Sequence, residues 1–477
     1  SGYEATMAKM DSIKDFLGDT RRSSVEMEEK RRAFREKVPE KVIRGVNIVG
    51  DLSTKQKAYI QSTIGPQLHD GKYTFDTFKS EYLRLAQDGK IRYIRPLAHY
   101  DSTFYGYIVD LYVTRETDLT TYFGGNFSSR PINMGYVGVK YDFFNRTATG
   151  LFANSYFGKF YGSVMLRANI DFGGKQRFRI EPHAILNRWD YFKSFATFFE
   201  ESRPSYIVKT ETFGGLGWAS SWGSNTVLRG DVRFGETRDR YYRTQDFTAQ
   251  DTADITRFTL GTVAAGVDRN TLNRKQYPNS GTRLLMSVRG VFGRENTESG
   301  NVGPPVHDFS ADRHWLTVLL RYENYFAHLG ILTLGGEVEA VYSTKPFFEN
   351  YTATLISSPA YTPLPMSKTM FLNEFRSSRY ASVGLKSILT VRRRFEFRVE
   401  GYGYQAYRDL MRTDDNKAMY SEPFPRPLFV GSGALVYHSP LGPLSLNLNY
   451  YENREDGPWS LFFNYGFTIF NKSVYEL

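Results

Sequence analysis

The chain has 477 residues, a formal net charge of +10, no cysteine and a mean hydropathy of −0.45. The missing cysteines exclude disulfides and thiolate metal sites. The low hydropathy, with no run of about 18 apolar residues, excludes a bundle of membrane-spanning helices. Aromatic residues make up 16% of the chain, which is high for a soluble protein. Basic residues are interspersed with acidic ones, so we expect no nucleic-acid partner.

Residues 1–41 are predicted to form a polar helical linker with one modest apolar stripe. Residues 42–116 are predicted to form a small α/β domain in the order strand, helix, helix, strand, strand. Ser53 and Thr74 are suited to cap the two helices. Directly before a strand-rich region, this order resembles one polypeptide-transport-associated (POTRA) repeat, which would lie in the periplasm.

Residues 117–477 alternate apolar and polar side chains in segment after segment, most clearly at 444–450. A period of two indicates β-strands with two chemically different faces. About sixteen strands are predicted, an even number as a single-chain bacterial barrel requires. Their approximate bounds are 119–128, 134–144, 148–157, 160–172, 177–188, 206–220, 224–236, 256–268, 281–293, 313–327, 330–343, 379–391, 394–407, 427–438, 441–452 and 459–470.

The lengths of the connections favour a closed transmembrane β-barrel, because long loops at one rim and tight turns at the other are typical of such barrels. The exception is 269–280, which is longer than a tight turn. The long links are 189–205, 237–255, 294–312, 344–378 and 408–426, and the tight ones include 145–147, 173–176, 328–329 and 439–440.

The two faces of the predicted strands differ as a membrane barrel requires. Arg229, Asp231 and Arg233 share one face, opposite Val232 and Phe234. Charges of both signs fit a wet, salt-bridged lumen, whereas each Arg or Lys facing lipid at mid-bilayer would cost roughly 2–4 kcal/mol. A soluble β-sandwich alternates similarly, but it would not explain strands of about ten residues or more.

The last predicted strand ends in closely spaced aromatic residues after a glycine. Gly466, Phe467 and Phe470 resemble the C-terminal β-signal that outer-membrane assembly machinery reads. The chain continues to Leu477, whereas many such signals end at the terminal aromatic residue.

The connection 344–378 ends in a Phe-Arg-Ser-Ser sequence around Arg376. It resembles the inward-folding loop of the BamA/TamA/FhaC superfamily of outer-membrane barrels (bacterial surface antigens), whose tip arginine pairs with an acid two strands further on. The resemblance implies a lumenal lock between Arg376 and Glu400, and a carboxylate is a reasonable partner for a lumenal arginine. Ser377 replaces the family's glycine, and Lys386 stands where another acid is common. The alternative is a surface-loop arginine without a lock.

Two further features resemble this superfamily. A Pro-Asn-Ser-Gly sequence ends at Gly281, although it is good turn chemistry in any protein. BamA-like insertases have several POTRA repeats and FhaC-like secretion pores have two, whereas a single repeat resembles the patatin-fused, PlpD-like type V-d autotransporters. There a lipolytic patatin domain precedes the repeat, and residues 1–5 with the helical linker are similar to the segment that joins the two. Because no signal peptide is apparent, we expect the numbering to begin inside a longer precursor.

These residues contain no recognisable catalytic motif. Patatin chemistry needs a serine on a Gly-x-Ser-x-Gly elbow and an aspartate, and the chain has no such elbow. The Asp-Gly dipeptides at 70–71, 88–89 and 456–457 therefore indicate turns. No metal-ligand spacing or phosphate-binding glycine loop occurs, so we predict no catalytic residue, cofactor or metal in this segment.

The sequence predicts an outer-membrane β-barrel of about sixteen strands preceded by one POTRA domain. By resemblance, it anchors, displays or translocates a fused patatin-like phospholipase domain that these residues do not include. The alternatives are an insertase or secretion pore for separate clients, an integral lipolytic enzyme, and a simple porin. Expected partners are the lipid bilayer, the assembly machinery and a polypeptide client or fused lipase domain. The oligomeric state, including a homodimer, stays open.

Overall fold

A computed structural model of the chain gives two compact units, Ser1–Leu52 with Thr63–Arg115, and Ser53–Ser62 with Glu116–Leu477. No helix among the described residues has the length and apolar character needed to cross a membrane. The structure describes residues 2–18, 24–36, 42–64, 73–86, 91–103, 105–130, 132–144, 148–172, 178–191, 206–223, 225–243, 247, 250–302, 308–454 and 457–477.

Three polar helices come first, α1 (Gly2–Ala8), α2 (Met10–Leu17) and α3 (Ser24–Glu36). Ile13, Phe16 and Leu17 of α2 are exposed, and Phe16 is 91% exposed. The parts of the predicted linker at 19–23 and 37–41 lie outside the described residues.

A small α/β sheet follows, with the strand order β2-β1-β4-β3 and a parallel pairing between β1 and β4. Its elements are β1 (Val42–Val49), α4 (Thr54–Thr63), β2 (Tyr73–Thr74), α5 (Phe75–Ala86), β3 (Ile91–Asp101) and β4 (Gly106–Arg115). The fold matches the predicted POTRA-like order apart from the two-residue β2.

Both predicted helix caps are confirmed. Ser53 Oγ accepts from the Gln56 amide at 3.3 Å, and the Gln56 side chain accepts from the Ser53 amide at 2.9 Å. This reciprocal arrangement satisfies two N–H groups at the start of α4. Thr74 Oγ1 accepts from the Thr77 amide at 3.3 Å at the start of α5.

Sixteen antiparallel strands then form one closed barrel, which confirms the predicted fold class and number. A short hairpin, β18 (Leu410–Arg412) with β19 (Ala418–Tyr420), lies in the connection between β17 and β20. The barrel strands are β5 (Leu119–Ser128), β6 (Met134–Phe144), β7 (Ala148–Gly158), β8 (Tyr161–Phe172), β9 (Phe178–Tyr191), β10 (Ile207–Trp222), β11 (Thr226–Tyr241), β12 (Asp254–Asn270), β13 (Thr282–Glu298), β14 (Phe309–Leu329), β15 (Leu332–Ser343), β16 (Arg379–Arg392), β17 (Phe395–Ala406), β20 (Leu428–Ser439), β21 (Gly442–Tyr451) and β22 (Trp459–Gly466).

The strands keep the predicted alternation between the two faces of the barrel. On β11, Val232 and Phe234 are 38% and 59% exposed on the outside, whereas Asp231 and Arg233 are 5% and 3% exposed inside. A closed ladder satisfies the backbone polar groups within the sheet, so an apolar outer surface can face hydrocarbon. The interior combines charged side chains with buried aromatic clusters.

The structure corrects several predicted strand ends. Strands β11 to β14 extend further toward the long loops than the sequence indicated, and β14 reaches 21 residues. The last strand was predicted to run to residue 470 but ends at Gly466, whose φ of +104° turns the chain away from β5. The tight turns predicted at 145–147 and 173–176 lie outside the described residues.

Candidate functional site in the barrel lumen

The connection 344–378, here called the inward loop, lies inside the barrel. It carries a short helix, α6 (Tyr351–Ile356), whose N-cap Asn350 accepts from the Ala353 amide at 2.8 Å. The Asn350 side chain also donates to the hydroxyl of Tyr241 on the wall strand β11. Phe348 packs on Trp315 of β14, with ring centroids 6.3 Å apart. Buried aromatic and amide contacts therefore hold the loop to the wall.

Arg376 holds two parts of the inward loop together. Its Nη1 donates to the carbonyl oxygens of Leu355, Ile356 and Ser358 at 3.4, 3.2 and 3.2 Å. The guanidinium also lies 4.1 Å from the ring centroid of Phe371. These acceptors lie at the end of α6 and just after it, where helix carbonyls lack intrahelical partners. The arginine thus closes the loop into a compact unit.

Glu400 has other partners. Arg398 Nε donates to Glu400 Oε1 at 2.8 Å, and the Tyr402 hydroxyl donates to Oε2 at 2.7 Å. Within the described residues the structure does not bring Arg376 and Glu400 together. The wall residues satisfy the carboxylate, and Arg376 donates to the loop carbonyls through Nη1, while its Nε is buried without a hydrogen-bond partner in the described part of the chain. Lys386, which replaces a family acid, pairs instead with Glu323 and Glu337 at 2.6 and 2.7 Å.

The long turn between β12 and β13 also enters the lumen. Tyr277 is buried, and its hydroxyl donates to Ser445 Oγ and Asn447 Oδ1 at 3.2 Å each, on β21. Arg274 of the same turn pairs with Glu396 on β17. Gly281 has a φ of +97°, and a Cβ there would lie 2.2 Å from the Thr271 carbonyl oxygen. The Pro-Asn-Ser-Gly sequence therefore shapes a turn that reaches across the lumen.

Residues 467–477, here called the lumen segment, fold back into the barrel after β22. Phe470 of the predicted assembly signal packs inside against Tyr161, with ring centroids 4.9 Å apart, whereas Phe467 is half-exposed. Asn471 exchanges two amide hydrogen bonds with Asn154 of β7, at 2.9 and 3.1 Å. The three predicted signal residues are thus split between the end of a strand and the lumen.

The sequence pattern does not predict the lumen segment or its wall contacts. It predicts that Arg233 faces inward, but not its bonds to the carbonyls of Ser473 and Val474, nor the bond from Ser473 to Glu211. The available signal was polar sequence after a final aromatic strand, at Asn471. That pattern alone also fits an exposed tail.

A cavity of about 470 Å³ remains between the inward loop, the lumen segment and the wall. Eight lysines and arginines line it against two glutamates, Glu339 and Glu476. Lys345 lies here beside the ring of Phe348, and burial lowers the pKa of its ammonium group to about 7. Among the described residues, no cluster of His, Asp and Glu could hold a metal ion. The chamber is suited to polar, water-bearing contents.

The barrel closes through one short seam, between β22 and β5. Three register pairs join these strands, Asn464 with Ser128, Tyr465 with Phe127 and Gly466 with Asn126. By comparison, β21 and β22 share seven pairs and β5 and β6 share eight. A side-chain bond from Asn126 to Asn464, at 3.0 Å, reinforces the seam.

Comparison with protein-family models and with curated protein sequences gives no match. Among solved structures, the chain is similar to BamA from Haemophilus ducreyi lacking POTRA domains 1–3, with a TM-score of 0.53, 13% identity, and coverage of 90% of this chain and 84% of that one. It is also similar to CdiB from Acinetobacter baumannii, with a TM-score of 0.51, 10% identity, and coverage of 90% and 74%. At such identities the likeness is one of fold. The predicted resemblance to outer-membrane barrels of the BamA/TamA/FhaC superfamily is therefore confirmed at the level of the fold.

Proposed function

We propose that this chain is an outer-membrane barrel that moves polypeptide across or into the membrane. Support comes from the fold shared with BamA and CdiB and from the apolar outer face of the strands. The lumen is filled by segments of the chain itself, so the resting state is closed. A simple porin, by contrast, needs an open lumen.

The observation that carries the proposal is the short seam between β22 and β5. Every other neighbouring pair of barrel strands shares at least seven register positions, whereas this pair shares three. Parting two strands costs the hydrogen bonds and side-chain contacts that join them. Opening therefore costs least at the seam, which gives a polypeptide a lateral exit toward lipid.

The inward loop then acts as the closing element of the lumen. Arg376 keeps the loop compact through the carbonyls of Leu355, Ile356 and Ser358. Glu400 keeps its section of the wall in order through Arg398 and Tyr402. In this proposal Arg376 and Glu400 both stabilise the closed state, each through its own partners.

The finer form of the proposal is that the polypeptide is a fused patatin-like phospholipase domain, which the barrel anchors, displays or translocates. Its support is the single POTRA-like sheet among the described residues, preceded by α1 to α3. In the periplasm this sheet would offer β3, an edge strand of 11 residues, to an extended client segment by β-augmentation. Residues Gly466, Phe467 and Phe470 would serve recognition by the assembly machinery.

A disulfide across the seam tests the function. Ser128→Cys with Asn464→Cys places thiols at directly opposed positions, where a disulfide fits, in a chain without native cysteine. Oxidation should abolish delivery of the client, and reduction should restore it. The matched control is Ser432→Cys with Asn449→Cys, which are opposed on β20 and β21 within a ten-pair ladder. Equal transport by the oxidised and reduced seam variant would refute the proposal.

The second candidate is an insertase or secretion pore that acts on separate clients, and the lateral seam favours it equally. Depletion of the protein separates the two. A carrier dedicated to one passenger changes the surface level of that passenger alone, whereas a general insertase lowers many outer-membrane proteins. Deleting a fused passenger domain should leave assembly of the barrel intact if the passenger form is right.

A further inference from the structure

Four wall side chains bind the main chain of the lumen segment, and one of them, Glu211, also accepts from the Ser473 hydroxyl at 2.7 Å. Asn187 donates to the carbonyl of Lys472 at 2.9 Å. Arg233 donates to the carbonyls of Ser473 and Val474 at 2.8 and 3.2 Å. The Val474 amide donates to Glu211 at 3.0 Å, and the Asn471 amide donates to the Tyr161 hydroxyl at 3.0 Å. These residues, Tyr161, Asn187, Glu211 and Arg233, are called the wall cluster.

The wall cluster is connected within itself before any peptide is considered. The Tyr161 hydroxyl donates to Asn187 Oδ1 at 2.9 Å, and Asn187 Nδ2 reaches Glu211 Oε2 at 3.5 Å. Asn187 and Glu211 face each other in the register of β9 and β10. Lys209 pairs with Glu211 at 3.1 Å, and Asp231 with Arg233 at 3.1 Å. The donors and acceptors are thus held in place by neighbouring strands.

While the segment is bound, the wall cluster is buried and depends on the segment for hydrogen-bond partners. Tyr161, Asn187 and Glu211 are fully buried and Arg233 is 3% exposed while the segment is bound. A buried polar group that loses its partner costs about 1–3 kcal/mol unless water or another group replaces it. Removing the segment would leave these groups without the main-chain partners that residues 471–474 supply, at the start of a turn in which the Glu476 amide donates to the Ser473 carbonyl at 3.0 Å. Another chain that follows the same backbone path would satisfy them in the same way.

We propose that the wall cluster is a binding site for the main chain of a polypeptide segment that turns as residues 473–476 do, occupied at rest by residues 471–477 and available to a client chain when they leave. This inference rests on the proposed function, since the client is the polypeptide being moved. Recognition through main-chain groups tolerates varied client sequences, which a transport route requires. The chain's own segment is then an internal competitor that keeps the route closed.

A peptide-binding experiment tests the site. The probe is a fluorescent peptide with the sequence of residues 470–477, added to the detergent-solubilised chain lacking residues 471–477. The expected result is saturable binding, at least about tenfold tighter than to the intact chain, whose own segment competes. Retention of the folded, heat-modifiable band in electrophoresis establishes that the shortened barrel is intact.

Two matched comparisons identify the mode of binding. Glu211→Gln in the shortened barrel should weaken peptide binding by about tenfold, because it replaces a charged acceptor with a neutral amide. Glu295→Gln is the control: Glu295 is equally buried and also accepts a backbone amide, that of Glu349 at 2.8 Å, but from the inward loop. This control should bind as the shortened barrel does. A peptide N-methylated at Val474 lacks the donor to Glu211 and should also bind about tenfold more weakly.

The outcomes separate this site from the proposed function. A folded shortened barrel that fails to bind the peptide, or equal binding of the N-methylated peptide, overturns the site whatever the seam experiment gives. Peptide binding together with transport through an oxidised seam leaves the site standing and removes the function. If the shortened barrel does not fold, Asn154→Cys with Asn471→Cys, joined by a short thiol crosslinker in the full chain, replaces it. Crosslinking should then block peptide exchange that the unlinked chain allows, and exchange unaffected by the crosslink overturns the site.

Discussion

Lys368 and Glu476 join the two segments that fill the lumen, with Lys368 Nζ donating to Glu476 Oε1 at 2.8 Å. Lys368 lies in the 3₁₀ turn Ser367–Thr369 of the inward loop, and Glu476 lies near the end of the lumen segment. Each side chain is 46% exposed to the cavity, so the pair contributes only about 0–1 kcal/mol. The pair matters because of where it lies: neither segment can be released until the pair breaks.

The charge of Glu476 predicts how the lumen responds to acid. Burial alone would raise its pKa, but Lys368 and the Ser473 amide outweigh that effect and lower the pKa to about 2. Because the pKa of Glu476 is lower in the bound segment than its ordinary value of 4.5, the ionised carboxylate stabilises the bound segment above pH 4.5. This stabilisation is lost as the pH falls from 4.5 through 2. In planar bilayers we expect opening events to become up to about fivefold more frequent over this range.

Glu476→Gln provides the comparison for that measurement. This variant should open at pH 7 as often as the unmodified protein does in acid, and its opening should lose this part of the pH dependence. Identical titration curves for the variant and the unmodified protein would show that the pair does not hold the segments together.

The buried charge of Lys472 predicts that the closed lumen becomes more stable at high pH. Burial within the lumen, together with Arg229 and Arg233, lowers the pKa of Lys472 to about 8. Below pH 8 the lysine is charged in both the bound and the released segment, so the full free-energy cost of burying its charge opposes the bound state. This cost disappears as the pH rises from 8 toward 10.5. Opening should therefore become rarer over this interval, and Lys472→Met should already open rarely at pH 7. A variant that opens more often than the unmodified protein contradicts this prediction.

Arg376 and Glu400 are predicted to act independently. Replacing Arg376 by Met removes a donor from three loop carbonyls, of which that of Leu355 keeps the Ser358 amide, and this should cost about 1–3 kcal/mol in the free energy of unfolding. Glu400→Gln weakens the bonds from Arg398 and Tyr402 on the wall. Because the two sets of partners do not overlap, the double variant should be additive within about 0.5 kcal/mol in urea unfolding of the detergent-solubilised barrel. A coupling energy above about 1 kcal/mol would indicate a direct interaction between Arg376 and Glu400.

The barrel could be predicted because the alternation of polar and apolar residues within each strand indicates which face is inside and which is outside. Asp231 and Arg233 alternate with Val232 and Phe234 whatever the rest of the chain does. The ends of the long strands could not be predicted in this way. Beyond the apolar belt both faces meet water, so alternation fades while the hydrogen-bonded ladder between β13 and β14 continues.

The contents of the lumen could not be predicted because they depend on pairs of residues far apart in the sequence. The period of two places Glu211 inside, but nothing in the pattern identifies Ser473, 262 residues later, as its partner. The sequence predicts a carboxylate partner for Arg376, because only side chains are visible in a sequence. The acceptors in the structure are backbone carbonyls, which every residue type supplies.

Gly466 predicts where the seam is most sensitive to substitution. Its φ of +104° is favourable for glycine, and a Cβ there would lie 2.2 Å from the carbonyl oxygen of Gly125 on β5. Gly466→Ala must therefore push the two strands apart or strain the backbone, at a cost of about 1–3 kcal/mol. The folded band should be lost at a lower temperature in electrophoresis. Gly433→Ala on β20 is the control, since a Cβ there meets nothing within 4 Å and should leave that temperature unchanged. Equal losses in both variants would contradict the predicted sensitivity of the seam.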